Sequence, residues 1–162
     1  MHHHHDYAVS VEWTGNRGTG TSGYRAYGRD HVVRAEGKLH DLAGSSDRVF
    51  HGDRERWNPE ELLLAALSQC HLLSYLHVAS SRGIVVVAYT DEATGVMEQT
   101  ADGGGHFTEA TLRPVVTISA GDPAQALDAH HEAAEKCFIA ASVNFPVHHE
   151  PRIVLADDPA NG

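Results

Sequence analysis

The longest apolar stretch of the chain has a helical pattern with clear start and stop signals. Asn58 is a good N-cap, Pro59 fits the first helical position, and the acidic residues 60–61 suit the positive end of the helix dipole. From Leu62 onward apolar residues nearly encircle the helix axis, and the pattern runs to Gly83, a typical C-terminal stop. We therefore predict a long helix that must be covered on most sides, by its own sheet or by a second subunit.

Alternating and β-branched segments predict strands on both sides of this helix. Strands are expected at residues 7–14, 31–35, 48–52, 84–97, 107–119 and 147–155. Asp122 and Pro123 repeat the cap-plus-proline signal, and helical spacing continues to Cys137, so a second helix is expected to carry this cysteine. Strands, helix, hairpin, helix and strand in this order favour an α+β fold over a wound parallel sheet.

The length of 162 residues and the hydrophobic content of 41% predict a single domain, which we place at residues 6–155. Residues 1–5 resemble a histidine-rich tag, and residues 156–162 are expected to form a flexible tail. A formal net charge of -10 argues against nucleic acid or an anionic membrane as the main partner. We find no apolar run of roughly 18 residues and no apolar N-terminal signal region, so we expect a cytoplasmic protein.

The chain has only two cysteines, Cys70 and Cys137, and their wide separation does not suit a zinc knuckle or a disulfide framework. In a reducing cytosol both remain thiols unless they work as a redox couple. Each cysteine is either a small buried hydrophobic residue or a protected nucleophile. A nucleophile needs a partner that stabilises its thiolate, and an arginine within a few ångströms is the obvious source.

Fourteen histidines raise the question of a metal site. In the pairs His130-His131 and His148-His149, adjacent side chains point about 100° apart on a helix or to opposite faces of a strand, so neither pair suits one ion. We predict no metal ion and no bound cofactor. His71 is interpreted as a polar tip at a helix boundary.

A glycine-rich polar stretch at residues 15–29 contains Arg17, Arg25 and Arg29. It lacks the order of strand, lysine and helix that defines a phosphate-binding P-loop. We therefore do not expect it to be a nucleotide-binding loop.

A motif in the long helix carries a family resemblance. Its residues are Asn58-Pro59-Glu60-Glu61-Leu62, Ala65, Ala66 and Cys70-His71, with a second lone cysteine later in the chain. Together with residues 11–18 and the closing segment 147–155, it resembles the OsmC/Ohr family of osmotically inducible and organic hydroperoxide resistance proteins. The resemblance implies an OsmC-like α+β fold, with antiparallel sheets around a long central helix bearing Cys70, and an intertwined homodimer.

The same resemblance implies a thiol peroxidase that reduces organic hydroperoxides. Cys70 would be the peroxidatic cysteine and Cys137 the resolving one, so that a Cys70–Cys137 disulfide forms. The family's acid falls on Glu60, and its arginine falls on Arg17. Other candidates for the arginine are Arg25, Arg54 and Arg56. The resemblance also implies a lipoylated protein or another lipoyl-type dithiol as the external reductant.

An alternative function within the same fold is a non-enzymatic OsmC-like dimer that binds a hydrophobic small molecule. The two functions differ in whether Cys70 is reactive. Glu60 and Cys70 stand ten residues apart on one helix, which separates them by roughly 15 Å along the axis. If both belong to one site, an antiparallel helix of a second subunit must bring them together, as a two-fold dimer does.

Overall fold

The computed structural model of the chain describes residues 2–157. The chain divides between Leu62 and Leu63 into two compact units. The long helix α1, Pro59–Ser81, crosses that boundary. The single domain predicted at residues 6–155 stays a prediction. Residues 158–162 of the predicted tail lie outside the described residues.

The first unit contains one antiparallel sheet of three short strands. Its strands, in sheet order, are β1 (Ser10–Trp13), β2 (His31–Arg34) and β3 (Leu42–Gly44). In the register, Trp13 pairs with His31, which in turn pairs with Gly44. All four residues of β1 are exposed. The alternation at residues 7–14 therefore marks no half-buried face within this chain, and that part of the prediction is wrong.

The strand predicted at residues 48–52 is also wrong, because Arg48–Phe50 forms a 3-10 helix. The Asp47 carboxylate accepts a hydrogen bond from the Val49 backbone N–H at 2.9 Å. His51 then ends the turn with a φ of 63°, in the left-handed region. A local side-chain cap of this kind competes with strand pairing and prevails here.

A long loop at residues 14–30 connects β1 to β2 and is ordered by its own hydrogen bonds. The Trp13 indole donates to the Gly28 carbonyl at 2.8 Å, and the Gly28 N–H donates to the Gly15 carbonyl at 2.8 Å. A Cβ atom on Gly15 would lie 2.0 Å from the Gly28 oxygen, so only glycine fits this close approach. The Asn16 side chain accepts from the backbone N–H groups of Gly18 and Gly20.

The second unit contains two three-stranded sheets and most of α1. One sheet has the order β4 (Val85–Asp91), β7 (Pro114–Ala120) and β9 (Arg152–Leu155), and the other has the order β5 (Thr94–Gln99), β6 (Gly105–Leu112) and β8 (Val147–His149). Pairs β6–β8 and β7–β9 are parallel, whereas β4–β7 and β5–β6 are antiparallel. The fold is α+β with mixed sheets, which corrects the expectation of purely antiparallel ones.

Each predicted strand after α1 is divided between these two sheets. Each of the predicted segments 84–97, 107–119 and 147–155 forms two strands, one in each of the two sheets. Arg113, at one division, donates its backbone N–H to the Asp91 carboxylate at 2.6 Å, and its guanidinium pairs with Glu150 at 3.2 Å. The three divisions are thus held together by contacts between residues that are distant in sequence.

Helix α1 begins and ends where the local signals indicated. The Glu61 N–H donates to the Asn58 side chain at 2.8 Å, and the Asn58 N–H donates to the Glu61 carboxylate at 3.4 Å, which is a capping box. After Ser81 the chain turns at Gly83, whose φ is 70°. Both ends of the predicted helix are confirmed.

The hydropathy of α1 departs from the sequence-based expectation. By length and composition it is apolar enough to cross a membrane, with an 18-residue window of mean hydropathy 1.4, so the prediction that no such run exists is wrong. Core helices of soluble proteins pass the same test. Only 28% of that window is buried within the structure, which leaves much of the apolar surface of α1 uncovered.

Helix α2, Pro123–Glu135, packs with α1 around the core of the second unit. The core contains Tyr75, Val78, Ala79, Ile84, Val116, Ile118, Ala126, Ala129 and Ala133. Three alanines on α2 keep its buried face small, and the Tyr75 hydroxyl donates to the Ala126 carbonyl at 2.8 Å. Each large aliphatic side chain buried here contributes about 1.5–3 kcal/mol. Helix α2 ends at Glu135, before Cys137. The prediction that Cys137 lies on this helix is therefore wrong.

Candidate active site

Cys70 and Cys137 are neighbours within the second unit, near enough for the Cys70 thiol to affect the pKa of Cys137. Cys70 lies on α1 and is half-buried, whereas Cys137 follows α2 and is 2% exposed. Both are free thiols. Burial first, and then the neighbouring Cys70 thiol, raise the pKa of Cys137 to about 11. The two cysteines that the sequence singled out therefore form a pair with unequal surroundings.

The chain segment after α2 holds Cys137 in place. The Cys137 N–H donates to the Ala134 carbonyl at 3.3 Å, and the Cys137 carbonyl accepts from the Ala141 N–H at 3.1 Å. The Cys137 sulfur accepts from the Ala140 N–H at 3.5 Å. This run of tight turns fixes the thiol just beyond the helix end.

Arg17 and Glu60 lie in the first unit, whereas both cysteines lie in the second. The grouping of all four in one site stays a prediction. Among the alternative arginines, Arg56 is already engaged, because its guanidinium lies 3.7 Å from Asp30 and 4.0 Å from Asp53.

Arg17 and Arg25 make no ion pair with any described residue, and both line one cleft. Arg54 is exposed. The Glu60 carboxylate has one oxygen, Oε2, that is buried without a hydrogen-bond partner among the described residues. A carboxylate oxygen in this position favours contact with a cation.

A buried histidine cluster beside α1 was not anticipated from the sequence. His71 Nε2 lies 3.0 Å from His130 Nδ1, and the ring of His149 lies 4.5 Å from that of His71. The Tyr75 ring stacks on His130 at 4.0 Å. His71 is fully buried, so its interpretation as a polar tip at a helix boundary is wrong.

Burial keeps these histidines neutral. It lowers the pKa of His71 to about 3, with smaller effects from His149 and His130, and the pKa of His130 to about 4. Burial also lowers the pKa of His149, although the Asp91 carboxylate opposes this change. His71 Nδ1 and His130 Nε2 have no hydrogen-bond partner within residues 2–157. The sequence signal was a lone histidine inside an apolar helix, but its partner is 59 residues away.

Within residues 2–157, no group of three or more His, Cys, Asp or Glu side chains is arranged to hold an ion. A cavity of about 550 Å³ adjoins His130 and His149, with His131 and His148 also on its wall.

The model of the family described as OsmC-like protein matches residues 51–152 of the chain. That range covers both cysteines, Glu60 and the histidine cluster. Among curated protein sequences, none matches this chain.

Solved structures of several OsmC-like proteins share the fold. An OsmC-like protein of unknown function from Vibrio cholerae has 30% sequence identity and a TM-score of 0.80, covering 91% of this chain and 99% of its own. An organic hydroperoxide resistance protein from Elizabethkingia anophelis has 17% identity and a TM-score of 0.68, covering 96% of this chain and 99% of its own.

A protein from Legionella pneumophila, described as an organic hydroperoxide resistance protein OsmC, has 17% identity and a TM-score of 0.67, covering 93% of this chain and 97% of its own. At such identities these last two likenesses concern the fold alone. The family model, which spans more than half of the chain, and the 30% identical Vibrio structure show more than a shared fold. Together with the helix motif that carries Cys70, they establish that the chain belongs to the OsmC-like protein family.

Proposed function

We propose that this protein is a thiol-dependent peroxidase that reduces organic hydroperoxides through Cys70 and Cys137. The observation that carries the proposal is that both thiols lie in one unit as neighbours, with Cys70 affecting the pKa of Cys137. Membership of the OsmC-like family supports it, since structural relatives include proteins described as organic hydroperoxide resistance proteins. Neighbouring thiols can form a disulfide where their Cα atoms lie roughly 4.4–6.8 Å apart.

The unequal surroundings of the two thiols support different roles for them. The raised pKa of Cys137, about 11, keeps it a thiol at neutral pH, and its 2% exposure hides it from a substrate. Cys70 is more accessible, so we assign it the attack on the peroxide. Cys137 then acts as the resolving thiol.

The proposed reaction balances as a two-electron exchange. The Cys70 thiol gives up its proton, and the thiolate attacks the terminal peroxide oxygen, which makes Cys70 a sulfenic acid. The O–O bond breaks, and the departing alkoxide takes up that proton and leaves as the alcohol. The Cys137 thiol then attacks the Cys70 sulfur, forms the S–S bond and releases water. An external dithiol reduces that disulfide by exchange and becomes a disulfide itself. We propose a lipoyl group, free or on a protein, as this dithiol.

We propose that Arg17 stabilises the Cys70 thiolate and that Glu60 orients the arginine. The pairing would occur across a homodimer, because a helix rise of about 1.5 Å per residue keeps Glu60 and Cys70 apart within one helix. Two observations support this assembly. The buried oxygen of Glu60 has no partner in the described chain, and Leu73 and Leu76 of α1 are 65% and 37% exposed.

A turnover assay tests the proposed function. Purified protein supplied with dihydrolipoamide and cumene hydroperoxide should consume both with saturation kinetics, and Cys70→Ser should abolish this consumption. Ser68→Ala, on the same helix, serves as the matched control and should retain activity. Absence of turnover with folded wild-type protein would favour the alternative, a non-enzymatic dimer that binds a hydrophobic small molecule.

A further inference from the structure

The first unit contains a cleft of about 440 Å³ whose wall is rich in arginine. Its lining residues are Arg17, Arg25, Tyr27, Arg29, His51 and Gly52. None of residues 2–157 brings a carboxylate to its wall. Three arginines therefore line one concave surface in a chain whose formal net charge is -10.

The positive charge of this cleft is not neutralised by the described part of the chain. Arg17, Arg25 and Arg29 have no carboxylate within 4.0 Å there, the limit at which ion pairs such as Arg56 with Asp53 are still found. Other arginines of the unit do have such partners. Arg34 pairs with Glu12 and Asp41, at 3.3 and 2.9 Å. Arg17, Arg25 and Arg29 therefore have no carboxylate partner in the described part of the chain, whereas Arg34 has two.

The loop that carries the arginines is organised before any ligand binds. Arg29 donates to the carbonyls of Tyr27 at 2.7 Å and Tyr24 at 2.8 Å, and its guanidinium lies 4.0 Å from the centre of the Tyr27 ring. The Gly15–Gly28 hydrogen bond closes the base of the loop. A cleft held open in this way lowers the ordering cost that binding would otherwise incur.

We infer that this cleft binds a small molecule through a phosphate or pyrophosphate group. Guanidinium groups match phosphate oxygens with paired hydrogen bonds, and three positive charges favour a dianion or trianion over a single carboxylate. The volume lies within the usual range for small-molecule sites, about 300–1,000 Å³, which leaves room for an organic part against Tyr27. The sequence lacks a P-loop, so recognition rests on side chains rather than on a helix N-terminus.

This site goes beyond the proposed peroxidase and shares only Arg17 with it. Isothermal titration calorimetry at pH 8 and low ionic strength, with inorganic phosphate, pyrophosphate and acetate as probes, tests it without any peroxide. We expect pyrophosphate to bind most tightly and acetate most weakly, and we expect affinity to fall as salt is added.

Arg25→Ala should weaken pyrophosphate binding about tenfold or more, since it removes one charged hydrogen-bond donor. Arg54→Ala is the matched control, because Arg54 is exposed and does not line the cleft. It should change the affinity less than twofold. Circular dichroism of each variant establishes that it is folded. If wild-type protein binds none of the anions, or if the two variants weaken binding equally, the inferred site is wrong.

Discussion

His71 and His130 form a hydrogen-bonded pair of imidazoles in the core, with His71 Nε2 3.0 Å from His130 Nδ1. One hydrogen atom serves this bond, so both rings can be neutral, and the outer nitrogens of the pair are left without partners in the described chain. Charging either ring would place a positive charge in a region closed to solvent, beside a second imidazole. This arrangement predicts a marked response to acid.

Stability should fall as the pH is lowered from about 6.5, the ordinary pKa of histidine in an unfolded chain. Folding lowers the pKa of His71 to about 3 and that of His130 to about 4. Below pH 6.5 the unfolded state therefore binds more protons than the folded state. The contribution of the buried neutral histidines to the free energy of unfolding is complete above pH 6.5. It is lost progressively as the pH falls from 6.5 to about 3. Urea unfolding at several pH values measures this loss.

His71→Gln should lower stability at neutral pH and also flatten this pH dependence. His106→Gln, which changes an exposed histidine, should leave the profile as in the wild type. An unchanged acid slope in His71→Gln would contradict the explanation.

The reactivity of Cys137 should be very low in the folded protein. In the Cys70→Ser variant, burial of Cys137 remains, and it is the first cause of the raised pKa. Alkylation by iodoacetamide at pH 8 should then be about a hundredfold slower than for free cysteine, because the thiolate fraction is so small. The same variant in denaturant supplies the rate for the exposed thiol. Equal rates in the two conditions would show that the site is open.

The sequence predicted the parts of this fold that are determined locally. Helix α1 was recognisable because Asn58, Pro59 and Gly83 each act within a few residues of its ends. The divisions of the later strands were not, since Arg113 stops one strand by contacting Asp91 and Glu150, which lie far away in the chain.

In the candidate site too, features with a local sequence signal were predicted, whereas features that depend on distant contacts were not. Cys70 and Cys137 were identified by a motif and by their rarity, and they are neighbours in the second unit. The histidine cluster depends on α1 and α2 packing face to face, which no local pattern reveals. The arginine cleft likewise depends on loop hydrogen bonds, such as that between Trp13 and Gly28, that join distant residues.

The exposed apolar surface of α1 predicts a homodimer. Leu73→Asp should shift the protein toward monomer in sedimentation equilibrium, because it would bury a charge in the interface. Leu39→Asp serves as the control, since Leu39 is 94% exposed in the first unit and lies outside α1. A wild-type protein that sediments as a stable monomer at micromolar concentration would contradict this prediction.

Arg17→Ala should slow both peroxide turnover and Cys70 alkylation at pH 7 by about tenfold or more, with little change in stability. A guanidinium near the thiolate stabilises its charge, whereas the loop at residues 14–30 is not part of the core. Arg54→Ala should behave as the wild type. If Arg17→Ala retains full rates, another group activates the thiol.

The central claim is that Cys70 reacts with the peroxide and Cys137 resolves the product. Intact mass spectrometry after one equivalent of cumene hydroperoxide measures this directly in three proteins. Wild type should lose the mass of two hydrogen atoms as the Cys70–Cys137 disulfide forms, Cys137→Ser should gain one oxygen atom or more at Cys70, and Cys70→Ser should stay unchanged. Wild-type protein that remains folded and keeps both free thiols after the pulse would contradict the account.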